Sequence, residues 1–240
     1  MLRIIPDLER VVQESWIHYY ETLPDEDSDT FRYTATGIDL AISESTTADF
    51  TAMVSGKIFG TGKNLCIYIL PNPVNERLDF PTTLERAKLL STTLGHGTRT
   101  RLFIESVGYQ QALIQQLKTE NYPAEEFQTH GQDKRARVAV TTSLIQNGRI
   151  IFPKQGAERL IQQLVGFGSE RHDDLADAFA ILVIKTIEER DASFTIPSSF
   201  YDAKNAQPKT QAELDHEADM ELIRKSHYER SGYNRDMLQW

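Results

Sequence analysis

Three successive stretches near the start of the chain have the apolar-rich, partly alternating pattern that is typical of β-strands. They cover residues 32–42, 49–58 and 65–70, and a glycine-containing segment at 59–64 has the composition of a tight turn. Short connections favour antiparallel pairing of consecutive strands. The pattern therefore predicts an antiparallel meander of three strands.

Further along the chain, helical spacing of apolar residues alternates with short apolar runs. Helices are predicted over 81–94, 108–117, Lys134–Gln146, 157–165 and 173–189, strands over Arg101–Glu105 and 123–127, and an extended segment over 150–152. Three antiparallel strands followed by helix, strand, helix, strand and further helices is the element order of an RNase H-like α/β domain. We expect a central mixed sheet of five or more strands, with the three antiparallel strands first, flanked by helices.

The two ends of the chain differ from this central region. Apolar positions over 8–22 predict an amphipathic helix, and the acidic residues that follow predict a solvated linker. Beyond Ile196 the chain is polar and highly charged. We therefore expect an N-terminal helix and acidic linker over 1–30, an RNase H-like domain over 31–195, and a polar tail over 196–240 that could dock a partner.

Acidic residues interrupt the most apolar predicted elements. Asp39 lies inside an apolar strand, and Glu105 ends another. Asp174 and Asp177 lie in the first turn of an apolar helix, three positions apart and so on one face. A carboxylate in such a segment is costly unless it is paired or bound to metal. If the strands that carry Asp39 and Glu105 are neighbours, all four carboxylates can meet at one point.

Each acidic position taken alone also has an ordinary structural explanation. A strand aspartate is often an edge residue, a glutamate at a strand end often begins a loop, and acidic residues in a first helical turn stabilise the helix by about 0.5–1 kcal/mol. In this order and combination they favour catalytic metal ligands, and Asp177 weighs most because it interrupts an apolar helix face. Such oxygen donors suit Mg²⁺ or Mn²⁺, and two such ions roughly 4 Å apart can activate water and stabilise the leaving oxygen of a phosphodiester.

Other polar residues beside these motifs are candidates for supporting roles. The candidates for contacting the metal ligands without binding the metal directly are Asp49, His172 and Asp173. The candidates for DNA contact are Lys134, Arg137, Tyr109 and Gln110. A strand-start position explains Asp49 about as well, a histidine before a helix such as His172 is usually structural, and Asp173 also suits a helix cap. Tyr109 and Gln110 could instead orient Glu105 or pack, and a solvated helix face is the alternative for Lys134 and Arg137.

The charge of the chain does not by itself favour binding to nucleic acid. The net charge is −9, from 26 basic and 35 acidic residues, whereas phosphate contacts require Lys and Arg. Residues 131–171, however, contain seven basic and three acidic residues. The single cysteine, Cys66, excludes an internal disulfide and a cysteine zinc site, and no apolar run approaches the roughly 20 residues needed to span a bilayer. We therefore expect a cytoplasmic protein.

Four stretches, in order, resemble the C-terminal nuclease domain of phage terminase large subunits, which cut and package viral DNA. They are TGIDLA at 36–41 with ADFTA at 48–52, IESVGYQ at 104–110, KRAR at 134–137 leading into NGRIIFP at 147–153, and HDDLADA at 172–178. The resemblance implies an endonuclease that hydrolyses double-stranded DNA with two divalent ions during genome packaging. It also implies that Asp39, Glu105 and one or both of Asp174 and Asp177 are the metal ligands.

The resemblance also implies partners. Terminase large subunits usually carry an N-terminal ATPase with a phosphate-binding loop, but here Lys57 stands where the first glycine of that loop would fall and Asn64 follows Gly62-Lys63. We expect an excised domain or a separately encoded nuclease half. Its partners would be DNA, a terminase ATPase domain, the small terminase subunit and the portal, in the host cytoplasm.

Two other functions remain open from the sequence. The same fold and carboxylates would serve a Holliday-junction-resolvase-like enzyme or another RNase H-like nuclease. In a different class, the chain would be a non-catalytic module that docks onto a portal or a partner ATPase through its charged tail.

Overall fold

The computed structural model describes residues 11–40, 50–106, 110–128, 134–167 and 173–190. All of them belong to the first of two compact units, Met1–Ile196. The second unit, Pro197–Trp240, and with it the predicted tail, lies outside the described residues. The domain boundaries at 30/31 and 195/196 stay predictions. Among the described residues, no helix has the length and apolar character needed to cross a membrane.

The described residues form an α/β fold. The strands are β1 (His18–Tyr20), β2 (Phe31–Asp39), β3 (Thr51–Phe59), β4 (Cys66–Ile69), β5 (Val74–Glu76), β6 (Arg101–Glu105), β7 (Ala124–Phe127) and β8 (Ile150–Pro153). The helices are α1 (Phe80–Thr93), α2 (Gln110–Thr119), α3 (Lys134–Gln146), α4 (Glu158–Val165) and α5 (Asp174–Arg190). Apart from β1 and β5, each element was predicted from the periodicity of the sequence, with bounds within a few residues.

All of these strands belong to one mixed sheet. Its order is β1-β8-β4-β3-β2-β6-β7, and β5 pairs with β3 off this path. The central trio β2, β3 and β4 is antiparallel, whereas β6 joins β2 in parallel and β7 joins β6 in parallel. The predicted mixed sheet with an antiparallel meander is confirmed, and with eight described strands it exceeds the minimum of five.

The predicted N-terminal helix over 8–22 is wrong for residues 11–22, which form a 3-10 turn at Glu14–Trp16 and then β1. β1 pairs in parallel with β8 at the edge of the sheet. This pairing satisfies backbone groups that a helix would satisfy internally, and the aromatic side chains of this segment suit a strand. The Tyr20 hydroxyl also donates a 2.7 Å hydrogen bond to the Ile69 carbonyl. Residues 8–10 lie outside the described residues.

The two faces of the sheet carry separate cores. One core joins α3, α4 and α5 to the face that includes Ala35 of β2, and the other joins α1 and α2 to the face that includes Ile38. Side chains alternate along a strand. Asp39, four positions after Ala35, therefore lies on the α5 face, which places its carboxylate under the helix that carries Asp174 and Asp177.

Gly37 allows α5 to pack directly on the backbone of β2. A Cβ atom at position 37 would lie 2.1 Å from the Ala178 carbonyl oxygen and 2.6 Å from the Leu182 backbone nitrogen. These are backbone atoms of a buried helix, so they cannot move aside cheaply. The first turn of α5 is thereby held close to the end of β2, where Asp39 lies.

We expect Gly37→Ala to lower the free energy of unfolding by about 2–3 kcal/mol, because it forces a methyl group into backbone atoms of α5. Urea unfolding would measure the loss. Gly56→Ala is the matched control, since Gly56 on β3 also faces α5, but its Cβ would lie 3.2 Å from side-chain methyl groups of Ile67 and Leu182 and not against backbone atoms of α5. Equal losses in the two variants would contradict the tight contact at Gly37.

Candidate metal centre

Asp39 and Glu105 lie side by side at the ends of neighbouring strands. β2 and β6 are parallel, and Ile38 pairs with Ile104 in their register. The next residue on each strand is the carboxylate. Glu105 lies two positions after Phe103, which belongs to the core under α5, so both carboxylates lie on the α5 face. The strand pairing that the sequence analysis required is present.

The third element of the site is the first turn of α5. Asp174 and Asp177 lie in that turn and are both buried, with 7% and 1% of their surface exposed. Their negative charges act on Asp39, whose pKa they help to raise. The four predicted ligands therefore come from two strands and one helix and gather at one end of the sheet.

Arg137 connects two of these carboxylates. It lies on α3, is only 3% exposed, and donates from Nη1 to Glu105 Oε1 and from Nη2 to Asp177 Oδ1, each at 3.0 Å. A guanidinium presents its donors in a fixed plane, so one arginine can hold two carboxylates at a set separation. Arg137 is therefore buried among these carboxylates and does not lie on a solvated helix face.

Lys134, one turn before Arg137, adds a second positive charge. Its Nζ lies 2.5 Å from Asp177 Oδ2 and 3.3 Å from Asp173 Oδ1. Partial burial alone would lower the pKa of Lys134, but the carboxylates of Asp177, Asp173 and Asp39 more than offset this and raise it. Lys134 therefore stays charged at the exposed side of the cluster.

The carboxylates are costly to keep ionised together. Burial, followed by the charges of Asp177 and Glu105, raises the pKa of Asp39 well above its usual value. Burial also raises the pKa of Asp177, although Lys134 and Arg137 lower it in part. The ionised form of Asp39 is thus strongly disfavoured, and a cation bound beside it would stabilise that form.

Gln163 of α4 holds the first turn of α5 in place. Its buried Oε1 accepts hydrogen bonds from the backbone nitrogens of Leu175 at 2.9 Å and Ala176 at 3.2 Å. These are two of the donors that the start of a helix leaves without partners inside the helix. The side chain of Gln163 therefore fixes the turn that carries Asp174 and Asp177.

We expect Gln163→Leu to lower the free energy of unfolding by about 1–2 kcal/mol, because it leaves two buried N–H groups without their acceptor. Chemical denaturation would measure this loss. Gln162→Leu is the control, because the neighbouring glutamine on the same helix is exposed. If both leucine variants unfold at the same denaturant concentration, Gln163 does not hold α5.

The candidates for supporting roles lie at different points of the structure. Asp173 lies beside Lys134, at the edge of the cluster. Gln110 is fully buried, and its Nε2 donates to the Leu40 carbonyl at 3.4 Å, so it contacts the chain directly after β2. Asp49, Tyr109 and His172 lie outside the described residues.

The donors are carboxylate oxygens, the kind of ligand that Mg²⁺ and Mn²⁺ prefer. They lie at the ends of two strands and in the first turn of a helix. Within the described ranges, no three acidic, histidine or cysteine side chains are arranged to share one ion. Glu105 and Asp177 are joined through Arg137 instead. If the chain holds a divalent ion here, the ligands would be Asp39, Glu105, Asp174 and Asp177. Arg137 and Lys134 would be their cationic neighbours.

The sequence of this region matches a known family. The family model described as the terminase RNaseH-like domain matches residues 37–185, more than half of the chain. The chain belongs to the terminase RNase H-like domain family. The matched region of this terminase domain begins two residues before Asp39 and contains all four carboxylates, Arg137 and Lys134. No curated protein matches the chain.

The terminase RNase H-like fold is also found by comparison with solved structures. The human cytomegalovirus terminase nuclease domain, soaked with manganese and bound to an inhibitor, is 16% identical, with 75% of this chain and 96% of that chain covered and a TM-score of 0.52. A second manganese-soaked structure of that cytomegalovirus domain is 16% identical, with 75% of this chain and 97% of that chain covered and a TM-score of 0.51. The large terminase nuclease of thermophilic phage G20c with bound magnesium is 13% identical, with 73% of this chain and 97% of that chain covered and a TM-score of 0.48. At this identity the likeness to the cytomegalovirus domain shows the fold alone.

Sequence reasoning missed two residues that shape the site of this terminase domain. Gln163 lies between Leu160 and Leu164 on the buried face of α4, so it interrupts an apolar helix face as Asp177 does. That pattern was a usable signal. The close contact at Gly37 had no comparable signal, because a glycine in a strand is equally compatible with a bulge or with a nearby backbone.

Proposed function

We propose that the chain is a metal-dependent endonuclease that hydrolyses phosphodiester bonds of double-stranded DNA with two divalent ions. The main support is the meeting of Asp39, Glu105 and Asp177 at one end of the sheet, with Arg137 bound to the last two. Family membership agrees with this proposal. So does the manganese-soaked state of the cytomegalovirus nuclease domain, which shares the fold.

Arg137, Asp39 and Lys134 would have separate roles in the reaction. Arg137 would hold Glu105 and Asp177 at a fixed separation, and its charge partly offsets the burial that raises the pKa of Asp177. Asp39, whose pKa is raised, must lose its proton before it can bind a cation, so we expect metal affinity to increase with pH. Lys134, at the exposed side of the cluster, would attract the scissile phosphate. Divalent ions, when bound, would supply Lewis-acid activation of water and of the phosphodiester.

We further propose that the activity serves genome packaging. The chain would act as the nuclease part of a terminase large subunit, together with an ATPase domain, the small subunit and the portal. Membership of the terminase family supports this assignment. It also favours linear double-stranded DNA over branched DNA as the substrate.

The test is cleavage of supercoiled plasmid by the purified chain with Mn²⁺, with Mg²⁺ and with EDTA. We expect nicking or linearisation with a divalent ion, no cleavage in EDTA, and no cleavage by Asp39→Ala. Asp29→Ala is the matched control, because Asp29 is an exposed aspartate before β2. No cleavage by folded, unsubstituted protein with either ion would contradict the proposal.

A synthetic four-way junction of the same total length extends the assay. A terminase nuclease should cut linear duplex and junction at similar rates. Preferential, symmetric cutting at the branch point would replace the packaging assignment by a junction resolvase.

A further inference from the structure

Two arginines share one aromatic ring on the surface of the domain. The Cζ atom of Arg77 lies 5.0 Å from the centroid of the Phe50 ring, and that of Arg159 lies 5.6 Å from it. Arg77 directly follows β5, and Arg159 lies in the first turn of α4. Segments distant in sequence are thus brought together on Phe50, and both arginines are exposed.

Phe50 lies at the same end of the sheet as the carboxylates. It precedes β3, in which Ala52 pairs with Asp39. Ala52 belongs to the core under α5, and Phe50, two positions earlier, is in contact range of Arg159 on α4, which packs on that same face. The ring and its arginines are therefore on the face and at the end of the sheet where Asp39 lies.

The strand order places positive charge on both sides of Asp39. β2 lies between β3 and β6. On the β6 side, Arg137 binds Glu105. On the β3 side lie Arg77 and Arg159. Basic side chains thus lie on both sides of the carboxylate cluster.

The two guanidiniums are also close to each other. Because both lie within these distances of one ring centroid, their Cζ atoms are at most about 11 Å apart, which is comparable to the Debye length of about 10 Å at 0.1 M salt. The π face of Phe50 attracts each of them. A guanidinium also binds phosphate in bidentate fashion through the edge of its plane.

We propose that Arg77 and Arg159, supported by Phe50, bind the phosphate backbone of DNA beside the cleavage site. This inference rests on the proposed nuclease function, because it takes DNA as the ligand. Phe50 orients the two guanidiniums, and the contacts are to the backbone and so do not depend on base sequence. The bound strand would pass from this pair of arginines across Asp39 toward Lys134.

The test is binding of a short fluorescent DNA duplex, measured by anisotropy over a range of salt concentrations, in the Asp39→Ala background. We expect Arg77→Ala with Arg159→Ala to weaken binding about tenfold or more and to reduce the slope of log K against log salt by about 1.8, since two phosphate contacts are lost. Phe50→Leu should weaken binding and leave that slope nearly unchanged, because both charges remain.

The control pair is Arg32→Ala with Lys63→Ala. Both residues are exposed, and they lie at the other end of β2 and just after β3, away from Asp39. The pair removes the same charge, so it should alter binding much less. Thermal melting of each variant checks that it folds.

Equal weakening by the two pairs would overturn the inference, because only overall charge would then matter. Absence of DNA binding by the Asp39→Ala chain at the lowest salt would also overturn it. Cleavage by the unsubstituted chain, measured separately, distinguishes the two proposals. If the chain cleaves but the Arg77 and Arg159 substitutions have no selective effect, the nuclease stands and the inference fails. If binding is selectively lost but no cleavage occurs with any ion, the DNA surface stands and the nuclease proposal fails.

Discussion

Asp39→Asn should abolish metal-dependent cleavage and at the same time make the metal-free protein more stable. Asparagine keeps the shape of the side chain but removes the charge that would hold a cation, so we expect cleavage to fall by about 10³-fold or more, equivalent to at least ~4 kcal/mol. Single-turnover cleavage of plasmid would measure this loss. The gain in stability follows because burial, followed by the charges of Asp177 and Glu105, disfavours the ionised form of Asp39.

The stability gain has a definite pH dependence. The pKa of Asp39 is higher in the folded protein than in the unfolded chain, so the folded state holds this proton more tightly. Stability is therefore lost as pH rises from about 4, the unfolded value, through the raised folded pKa. In EDTA, the melting temperature of the unsubstituted chain should fall from mildly acidic toward neutral pH more steeply than that of Asp39→Asn.

Asp29→Asn provides the control for both parts. Asp29 is exposed, so its replacement should alter neither cleavage nor the slope of stability against pH. A slope that is the same in Asp39→Asn as in the unsubstituted chain would show that Asp39 is not the group whose protonation stabilises the fold.

Arg137→Met should lower the free energy of unfolding by about 3–5 kcal/mol at neutral pH, because it leaves two partly or fully buried carboxylates without their shared cation. The side chain of methionine fills much of the same space, so the loss would reflect charge more than packing. Guanidinium unfolding at pH 7 would measure it. At acid pH, where Asp177 is protonated, the difference between variant and unsubstituted chain should shrink.

Arg135→Met is the matched control on the same helix, since Arg135 is exposed. Its replacement should cost less than about 1 kcal/mol. If Arg137→Met and Arg135→Met are equally stable, the contacts of Arg137 with Glu105 and Asp177 contribute nothing to the fold.

Most of the fold could be predicted because its elements have strong periodic patterns. α5 is an example, with an apolar sequence long enough to be unambiguous. β1 could not be predicted in this way, because three residues carry no period and their pairing partner, β8, lies more than a hundred positions away. β5 is equally short and depends on its pairing with Thr51–Met53 of β3. Such strands are defined by tertiary contacts and not by local sequence.

The candidate site was partly visible in the sequence for a different physical reason. A carboxylate in an apolar element requires compensation, so Asp39 and Asp177 could be recognised without a structure. What compensates them could not. The sequence gives no sign that Arg137 reaches both Glu105 and Asp177, because that depends on how α3 packs against α5 and β6.

The division of the site between β2 and α5 has a consequence for synthesis of the protein on the ribosome. Asp39 and Glu105 emerge early, whereas Asp177 emerges only after β8 and α4 have been made. A nascent chain that ends before α5 also lacks the helix that covers Gly37 and completes one core. Partial chains that end before α5 therefore lack Asp174 and Asp177, so a centre built from all four carboxylates could form only after α5 has been made.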